Sequence, residues 1–510
     1  MKWMEKLKPW QLAVLSGILI GFAYIPGPQL LAWIAFLPFF LLLRKDIPTK
    51  KKVFYSWITQ YILTLIGFHW VAHTIIEFGQ MPKIFGYLGL MAFCAFANLH
   101  FCISTWLYEK IFAKKSPLSL LSFCILFVLS EWFFPMIFPW HMGYSWITSG
   151  LPLMQMADVF GFWGLSLLTL LINLAFYYFI INFKRRTLAV SFVGVMLVMN
   201  LVGYWKQQNW EKTDTKTTFY IAQANIGNFF KHKAEQKGRY KDYIIDEYIN
   251  LSRNDLTNRA ADYVVWPETA MPLFMNLGRL NSQYTRRIAD LAREFQTPII
   301  TGVYSYRGDQ IFNSIGYIGS DGIMKDMYSK HHLLAFGEYF PGTENRPKLR
   351  RLVEKYIPAI SHFGRGEGST VFRQNNDFVM GPQICYEGLY PNYVAQSVKN
   401  GATLLLNVTN DSWFGNTFEP YQHMYMTLAR AIEFRRPLVR ATNTGISTAI
   451  EASGKVLEMS ELREKKGYYF DISYQQSPRT SWYTKSAGIQ PYILLVIWLT
   501  LTLYIRKRNF

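Results

Sequence analysis

One cysteine, one lysine and two acids in the second half of the chain could together support covalent catalysis. Cys385 follows the apolar segment "VMGPQI" and precedes "YEGLYP", so it lies at the end of a predicted strand. The other three cysteines, Cys94, Cys102 and Cys124, fall in long apolar segments near the start of the chain. Cys385 therefore has no second cysteine in its own domain for a disulfide or a thiolate metal site. It is either a buried hydrophobic residue or a nucleophile.

A thiol becomes a nucleophile when a base takes its proton or a cation stabilises the thiolate. Glu268 follows the apolar run "YVVWP". The segment 314–330 predicts a hairpin, and Lys330 comes after its second strand, with Glu338 eight residues further on. Each of these is, by itself, the kind of residue that loops commonly expose to solvent. Three such loops at strand ends favour an active site, because α/β proteins place ligands at the carboxyl ends of their strands.

The elements that must position these residues alternate between strand and helix. Short β-rich runs bounded by turn residues predict strands at 217–226, 261–269, 297–306 and 402–411. Helices are predicted between them, at about 233–254, 282–296, 390–400 and 420–436. This alternation predicts an α/β domain whose helices cover a largely buried sheet.

The composition of the whole chain differs from that of a soluble protein. It is 51% hydrophobic and 17% charged, with a formal net charge of +19, whereas globular chains average about 25% charged residues. Lys and Arg cluster in short runs between long apolar stretches, at 43–52, 109–117, 183–187 and 505–510. This distribution favours a polytopic membrane protein, and no nucleic-acid-binding motif is present, so we expect no nucleic-acid partner.

The apolar stretches predict about eight transmembrane spans, since roughly 20 residues cross a bilayer. Seven of them precede residue 206, and the eighth is near 489–506. Placing the basic runs in the cytoplasm puts both termini there and the region between the last two spans outside. We therefore predict a transmembrane bundle at 1–211, an extracytoplasmic α/β domain at 212–482, and a final helix with a basic tail at 483–510.

Glu268, Lys330 and Cys385 occur in the order and approximate spacing of the Glu-Lys-Cys triad of the nitrilase, or carbon-nitrogen hydrolase, superfamily. The segments "FPWHMGYSW", "NDSWFG" and "RATNTGIS", with the predicted spans, resemble the apolipoprotein N-acyltransferase family over nearly the full length. That resemblance implies a transmembrane bundle carrying a nitrilase-like α-β-β-α sandwich. It also implies the cytoplasmic (inner) membrane of a bacterium, with the catalytic domain on the periplasmic side.

The same resemblance implies a ping-pong acyl transfer without metal or organic cofactor. Glu268 would be the general base, Cys385 the nucleophile that attacks an ester carbonyl of a phospholipid, and Lys330 the cation that stabilises the oxyanion. The acyl chain would pass through a thioester to the α-amine of the N-terminal diacylglyceryl-cysteine of an apolipoprotein.

Further residues are implied to line or brace this site. They are Glu338, Tyr386, Glu387 and Trp413, although the aromatic residues could instead be core residues and the acids loop residues. His232 stands where the family often has an aromatic residue that could gate the pocket. Glu131 is an ionisable residue within a predicted span, a position that often marks function, and we assign it no role.

Two other functions fit parts of the sequence. A membrane-tethered carbon-nitrogen hydrolase would use the same triad with water as the acceptor. A transporter with a non-catalytic outer domain would need paired charges or broken helices deep in several spans, and the apolar stretches offer few. The family-specific segments favour the acyltransferase.

Overall fold

The computed structural model describes most of the chain in two compact units. The described residues are 2–24, 27–79, 81–112, 116–181, 186–209, 215–236, 238–277, 282–343, 346–356, 360–374 and 377–508. One unit comprises Met1–Ile75, Pro82–Trp210 and Ser481–Phe510, and the other comprises Ile76–Met81 and Glu211–Thr480. Parts of the basic runs at 109–117, 183–187 and 505–510 lie outside the described residues.

The first unit is helical. Its helices, numbered in chain order, are α1 (Pro9–Phe22), α2 (Leu37–Arg44), α3 (Thr49–Gly67), α4 (Val71–Gly79), α5 (Lys83–Phe96), α6 (His100–Ile111), α7 (Pro117–Phe133), α8 (Ala157–Ile181), α9 (Arg186–Gln208), α16 (Trp482–Ser486) and α17 (Gln490–Arg508). The last residues of α4 belong to the second unit.

The helix breaks differ from those expected from hydropathy. Two of the apolar runs that the sequence predicts as spans, at 53–75 and 84–110, are each divided by a short turn. The first gives α3 and α4, and the second gives α5 and α6. Hydropathy does not detect these breaks because the residues on both sides of each turn are apolar. By length and composition, two segments of the described chain could cross a membrane, Lys83–Ile111 and Pro152–Phe179.

Glu131 lies near the end of α7 and is only 4% exposed. Its carboxylate accepts a hydrogen bond from the Met142 backbone N–H at 3.2 Å, and His141 lies 4.0 Å away. Glu131 thus binds the main chain of the "FPWHMGYSW" segment, which gives this buried acid a structural partner.

The second unit contains two six-stranded sheets packed face to face. The strands are β1 (Lys216–Gln223), β2 (Tyr263–Trp266), β3 (Ile299–Arg307), β4 (Gln310–Ile318), β5 (Met324–Ser329), β6 (Phe372–Arg373), β7 (Val379–Ile384), β8 (Leu404–Thr409), β9 (Leu438–Thr442), β10 (Thr448–Ile450), β11 (Val456–Met459) and β12 (Lys466–Ser473). The strand orders in the two sheets are β12-β1-β2-β3-β4-β5 and β11-β10-β9-β8-β7-β6.

The helices of the second unit are α10 (Asn228–Gln236), α11 (Gly238–Asn258), α12 (Gln283–Glu294), α13 (Pro347–Tyr356), α14 (Pro391–Lys399) and α15 (Glu419–Phe434). Four of them cover the outer faces of the two sheets. Helices α11 and α12 pack on the first sheet, and α14 and α15 on the second. The helix predicted at 233–254 thus corresponds to α11, with the separate helix α10 before it.

Aromatic rings join the two sheets, as where Tyr317 of β4 stacks on Phe372 of β6 at 5.7 Å. The central strands β2, β7 and β8 are buried along their whole length, as expected for parallel strands covered on both faces. Their burial explains why they are continuous apolar runs in the sequence.

Strand direction brings the predicted site residues to one edge of each sheet. Strands β1, β2 and β3 are parallel, and so are β7, β8 and β9. Strand β4 is antiparallel to both β3 and β5, so β5 runs in the same direction as β2. Glu268 after β2 and Lys330 after β5 therefore leave the first sheet at the same edge, while Cys385 follows β7 in the second sheet.

Candidate active site

Lys330 forms the centre of a buried acid–lysine cluster with Glu268 and Glu338. Its Nζ lies 2.8 Å from Glu338 Oε1 and 3.4 Å from Glu268 Oε1. Lys330 is only 1% exposed and Glu268 6%. The structure therefore brings together three residues that the sequence places on two separate loops.

The Glu268 carboxylate is held by two further donors. Asn313 Nδ2 of β4 donates to Oε1 at 2.7 Å, and the Asn410 backbone N–H donates to Oε2 at 2.8 Å. Burial raises the pKa of Glu268 above its usual value, and Lys330 only partly opposes this effect. A carboxyl with a raised pKa is suited to accept and return a proton near neutral pH.

Glu338, the third member of the cluster, is held by two further donors. Besides Lys330, its Oε1 accepts from Asn313 Nδ2 at 3.0 Å, and its Oε2 accepts from the Leu334 backbone N–H at 2.8 Å. Burial alone would lower the pKa of Lys330, but the Glu338 and Glu268 carboxylates outweigh it and hold that pKa well above the ordinary value. Lys330 is thus kept as a cation.

Cys385 is the first residue after β7 and begins a short 3-10 turn, Cys385–Leu389. Its φ is +55°, a left-handed conformation uncommon for a residue with a side chain. Its carbonyl accepts a hydrogen bond from Asn407 Nδ2 at 3.0 Å. Such local backbone strain is found preferentially at functional sites.

Electrostatics couple the thiol to the acid–lysine cluster. Burial raises the pKa of Cys385 well above its usual value, the Glu268 charge adds to this, and the Lys330 charge opposes it. The resting form is therefore the thiol, which needs a base for activation. Glu268 supplies a carboxylate close enough to act on the thiol electrostatically.

Glu387 ties the turn at Cys385 to the loop after Lys330. Its Oε1 accepts from the backbone N–H groups of His331 at 2.7 Å and His332 at 3.0 Å. Its Oε2 accepts from the Ile384 N–H at 2.8 Å and from the Tyr328 hydroxyl at 2.5 Å. Glu387 is fully buried, and it fixes the two loops relative to one another.

Tyr386 joins a second group of buried polar residues, the Arg440 network. Its hydroxyl donates to Glu419 Oε1, and its ring stacks on His423 at 4.5 Å. Arg440 donates to Asn407 Oδ1 at 2.7 Å and to Asp411 Oδ2 at 2.9 Å. The network comprises Arg440, Asn407, Asp411, Glu419, His423 and Tyr386.

Three members of this network have atoms that could also bind a metal ion. The candidate ligand atoms of Asp411, Glu419 and His423 lie within 4.8 Å of one another. Burial raises the pKa of Asp411, but Arg440, His423 and the hydrogen bonds from both together outweigh burial, so that this pKa is lowered. The hydrogen bonds and the ion pair account for these side chains as a structural network.

Trp413 is half-buried in the turn Asp411–Phe414, close in sequence to Asn410, whose N–H binds Glu268. The side chain of His232, which stands where the family often has an aromatic residue, lies outside the described part of the chain.

Sequence reasoning missed several residues that position the site: Asn313, Asn407, Asn410 and Arg440. A signal for three of them was present, because Asn313, Asn407 and Arg440 interrupt strands that are otherwise mainly apolar. A polar side chain on a buried strand needs a hydrogen-bonding partner. Asn410 acts through its backbone, which side-chain chemistry does not indicate.

Comparisons with known proteins agree with this geometry. Residues 16–175 match the "Apolipoprotein N-acyltransferase N-terminal domain" family model, and residues 221–480 match the "Carbon-nitrogen hydrolase" model. The chain is 40% identical to the apolipoprotein N-acyltransferase of Bdellovibrio bacteriovorus over 92% of its own length and 89% of that protein. The chain belongs to the apolipoprotein N-acyltransferase family.

A second family member, from Geobacter metallireducens, is 31% identical over 89% of this chain and 87% of its own. The two-sheet unit is the nitrilase-like sandwich expected from the sequence. Among solved structures, Saccharomyces cerevisiae Nit3 is 16% identical and covers 54% of this chain and 94% of its own, with a TM-score of 0.38. The family assignment rests on the sequence matches.

Proposed function

We propose that this protein is a membrane N-acyltransferase that moves an acyl chain from a phospholipid to the α-amine of the diacylglyceryl-cysteine at the N-terminus of apolipoproteins. The single observation that carries the mechanism is that Lys330 contacts both Glu268 and Glu338. The charges of Lys330 and Glu268 also act on the Cys385 thiol. A carboxylate, a cation and a thiol are the groups that thioester chemistry requires.

In the first half-reaction, Glu268 takes the thiol proton and the Cys385 sulfur attacks the ester carbonyl carbon. Lys330 stabilises the negative charge on the carbonyl oxygen, aided by a backbone N–H beside Cys385. The carbon–oxygen bond then breaks, Glu268 returns the proton to the departing oxygen, and a lysophospholipid leaves. The acyl chain remains on Cys385 as a thioester.

In the second half-reaction, the α-amine of the acceptor attacks the thioester carbonyl. Glu268 takes a proton from the amine and gives one to the departing sulfur, which restores the thiol and leaves the acyl chain in an amide bond. The balance needs no redox partner. Because thioesters react with water, the pocket must exclude water until the amine arrives.

The proposed location is a bacterial inner membrane, crossed about eight times, with both termini in the cytoplasm and the nitrilase-like domain on the periplasmic side. Large apolar side chains exposed on the first unit support contact with lipid. Leu201 is 69% exposed, and Leu197 and Val496 are each 62% exposed. In water such side chains would be costly to expose, whereas in lipid they are well solvated.

The domain limits proposed from the sequence are 1–211, 212–482 and 483–510. They are supported by the compact units, whose boundaries at 210/211 and 480/481 fall within two residues of these limits, with Ile76–Met81 as the exception. Two further exposed side chains, Phe274 and Phe418 at 52% and 51%, lie in apolar loops of the second unit. They support an apolar mouth for acyl chains, although Met271 and Met275 of the same stretch are buried.

The deciding experiment incubates the purified full-length protein with phospholipid and no acceptor, and reads the Cys385 peptide by mass spectrometry. We expect an acyl adduct on Cys385 that a peptide beginning with S-diacylglyceryl-cysteine converts to its own amide. C385A should lose the adduct, whereas the matched control C102A should keep it. An adduct absent from Cys385 would contradict the mechanism, and steady release of free fatty acid would favour the hydrolase.

A further inference from the structure

A buried lysine outside the triad contacts the main chain of the proposed base. Lys231 lies on α10 and is 9% exposed. Its Nζ donates to the Thr269 hydroxyl at 3.1 Å and to the Glu268 carbonyl oxygen at 3.4 Å. Burying an ammonium group is costly unless it has partners, so its placement against this turn needs an explanation.

The turn that Lys231 contacts is held in an unusual conformation. Thr269 has a φ of +49°, which is a marked outlier for a β-branched residue. The same turn packs closely against Gly302 of β3, where an added Cβ would lie 2.4 Å from both Pro267 O and Thr269 N. The Glu268–Thr269 backbone is therefore held by contacts with both β3 and the Lys231 ammonium.

Charge gives Lys231 a second effect on the site. The charged or titratable groups that face Glu268 in the described structure are Lys330, Glu338, Cys385 and Lys231. Without Lys231, Lys330 would be the one lysine of this group that faces Glu268. Burial lowers the pKa of Lys231 to about 7, and the Glu268 charge opposes that decrease.

We propose that Lys231 is a positioning residue for Glu268, which holds the Glu268–Thr269 turn and supplies a positive charge that favours the carboxylate form. The inference rests on the proposed function, in which Glu268 is the base. Because a nearby cation favours the charged carboxylate, removing it makes Glu268 harder to ionise. As the pH falls, Glu268 would then become protonated, and cease to act as a base, at a higher pH than in the unmodified protein.

The test measures the rate at which iodoacetamide alkylates Cys385 in the full-length protein, followed by mass spectrometry between about pH 5 and pH 9. K231M removes the charge and keeps an extended side chain, K231Q keeps a hydrogen-bond donor without charge, and K231R keeps the charge. K233M is a matched control on the same helix. E268Q reports whether alkylation depends on the base.

We expect K231M and K231Q to slow alkylation about tenfold at the acidic end, which corresponds to a shift of about one pH unit, and to approach the unmodified rate at high pH. K231R and K233M should stay within about twofold throughout. If K231M and K231Q lower the alkylation rate equally at every pH, or do not lower it, the proposal for Lys231 is overturned while the proposed function stands. If E268Q leaves alkylation unchanged, Glu268 is not the base and both proposals fail.

Discussion

The acid–lysine cluster and the Arg440 network are two buried ionic groups in the same domain, and the central cation of each makes different contacts. Lys330 has two carboxylates at 2.8 and 3.4 Å and acts electrostatically on the Cys385 thiol. Arg440 instead donates hydrogen bonds to Asn407 of β8 and to Asp411 in the turn after it. The first group is suited to chemistry and the second to holding a backbone.

Burial and charge alone do not identify a catalytic group. Burial is the largest influence on the pKa of both Glu268 and Glu419, and it raises both. Of these two acids, Glu268 acts electrostatically on the Cys385 thiol, whereas Glu419 accepts the Tyr386 hydroxyl and lies near His423. The position of each acid relative to Cys385 separates the two roles.

The largest expected effect is the loss of acyl transfer when the acid–lysine cluster is changed. E268Q should lower the rate of thioester formation by about 10²–10⁴-fold, the range for loss of a general base. Measuring the acylation rate alongside the melting temperature checks this. A loss of activity that is explained by unfolding would remove the distinction between the two groups.

A change in the Arg440 network should affect stability first. R440M leaves Asp411 as a buried charge without its ion-pair partner, which costs about 3–5 kcal/mol. We expect a much lower melting temperature in detergent than for E268Q. If R440M melts normally and loses only activity, Arg440 takes part in the chemistry and the two buried groups do not differ in role.

E338Q should shift the pH dependence of acylation. The charge of Glu338 raises the pKa of Glu268, so its removal should lower that pKa and extend activity to lower pH. A pH profile of thioester formation for E338Q and the unmodified protein measures the shift. A profile displaced to higher pH would contradict the assigned sign.

The smallest effect is expected for Y386F, which removes the hydroxyl that donates to Glu419. Loss of one hydrogen bond typically lowers the free energy of unfolding by about 1 kcal/mol, and the stacking of the ring on His423 remains. Thermal melting should show a modest decrease with acylation largely retained. A loss of activity as large as that of E268Q would place Tyr386 in the chemistry.

Much of the nitrilase-like domain was predictable, because its central strands are buried on both faces and therefore stand out as apolar runs. Strands β1, β2, β3 and β8 confirm the four predicted runs, and the predicted hairpin is β4 and β5. Strands β9 to β12 were not predicted. Arg440 interrupts β9, and most of β11 is exposed, so neither has the pattern of a buried strand.

The sequence by itself determined the residue types and their order: one cysteine without a partner in its domain, and an acid and a lysine that each follow a strand. Only the tertiary structure decided that Lys330 contacts both Glu268 and Glu338, that the Asn410 backbone binds Glu268, and that Cys385 adopts a left-handed conformation. Local patterns report propensity and burial along one segment, whereas these contacts depend on strand direction and on backbone groups brought from distant segments.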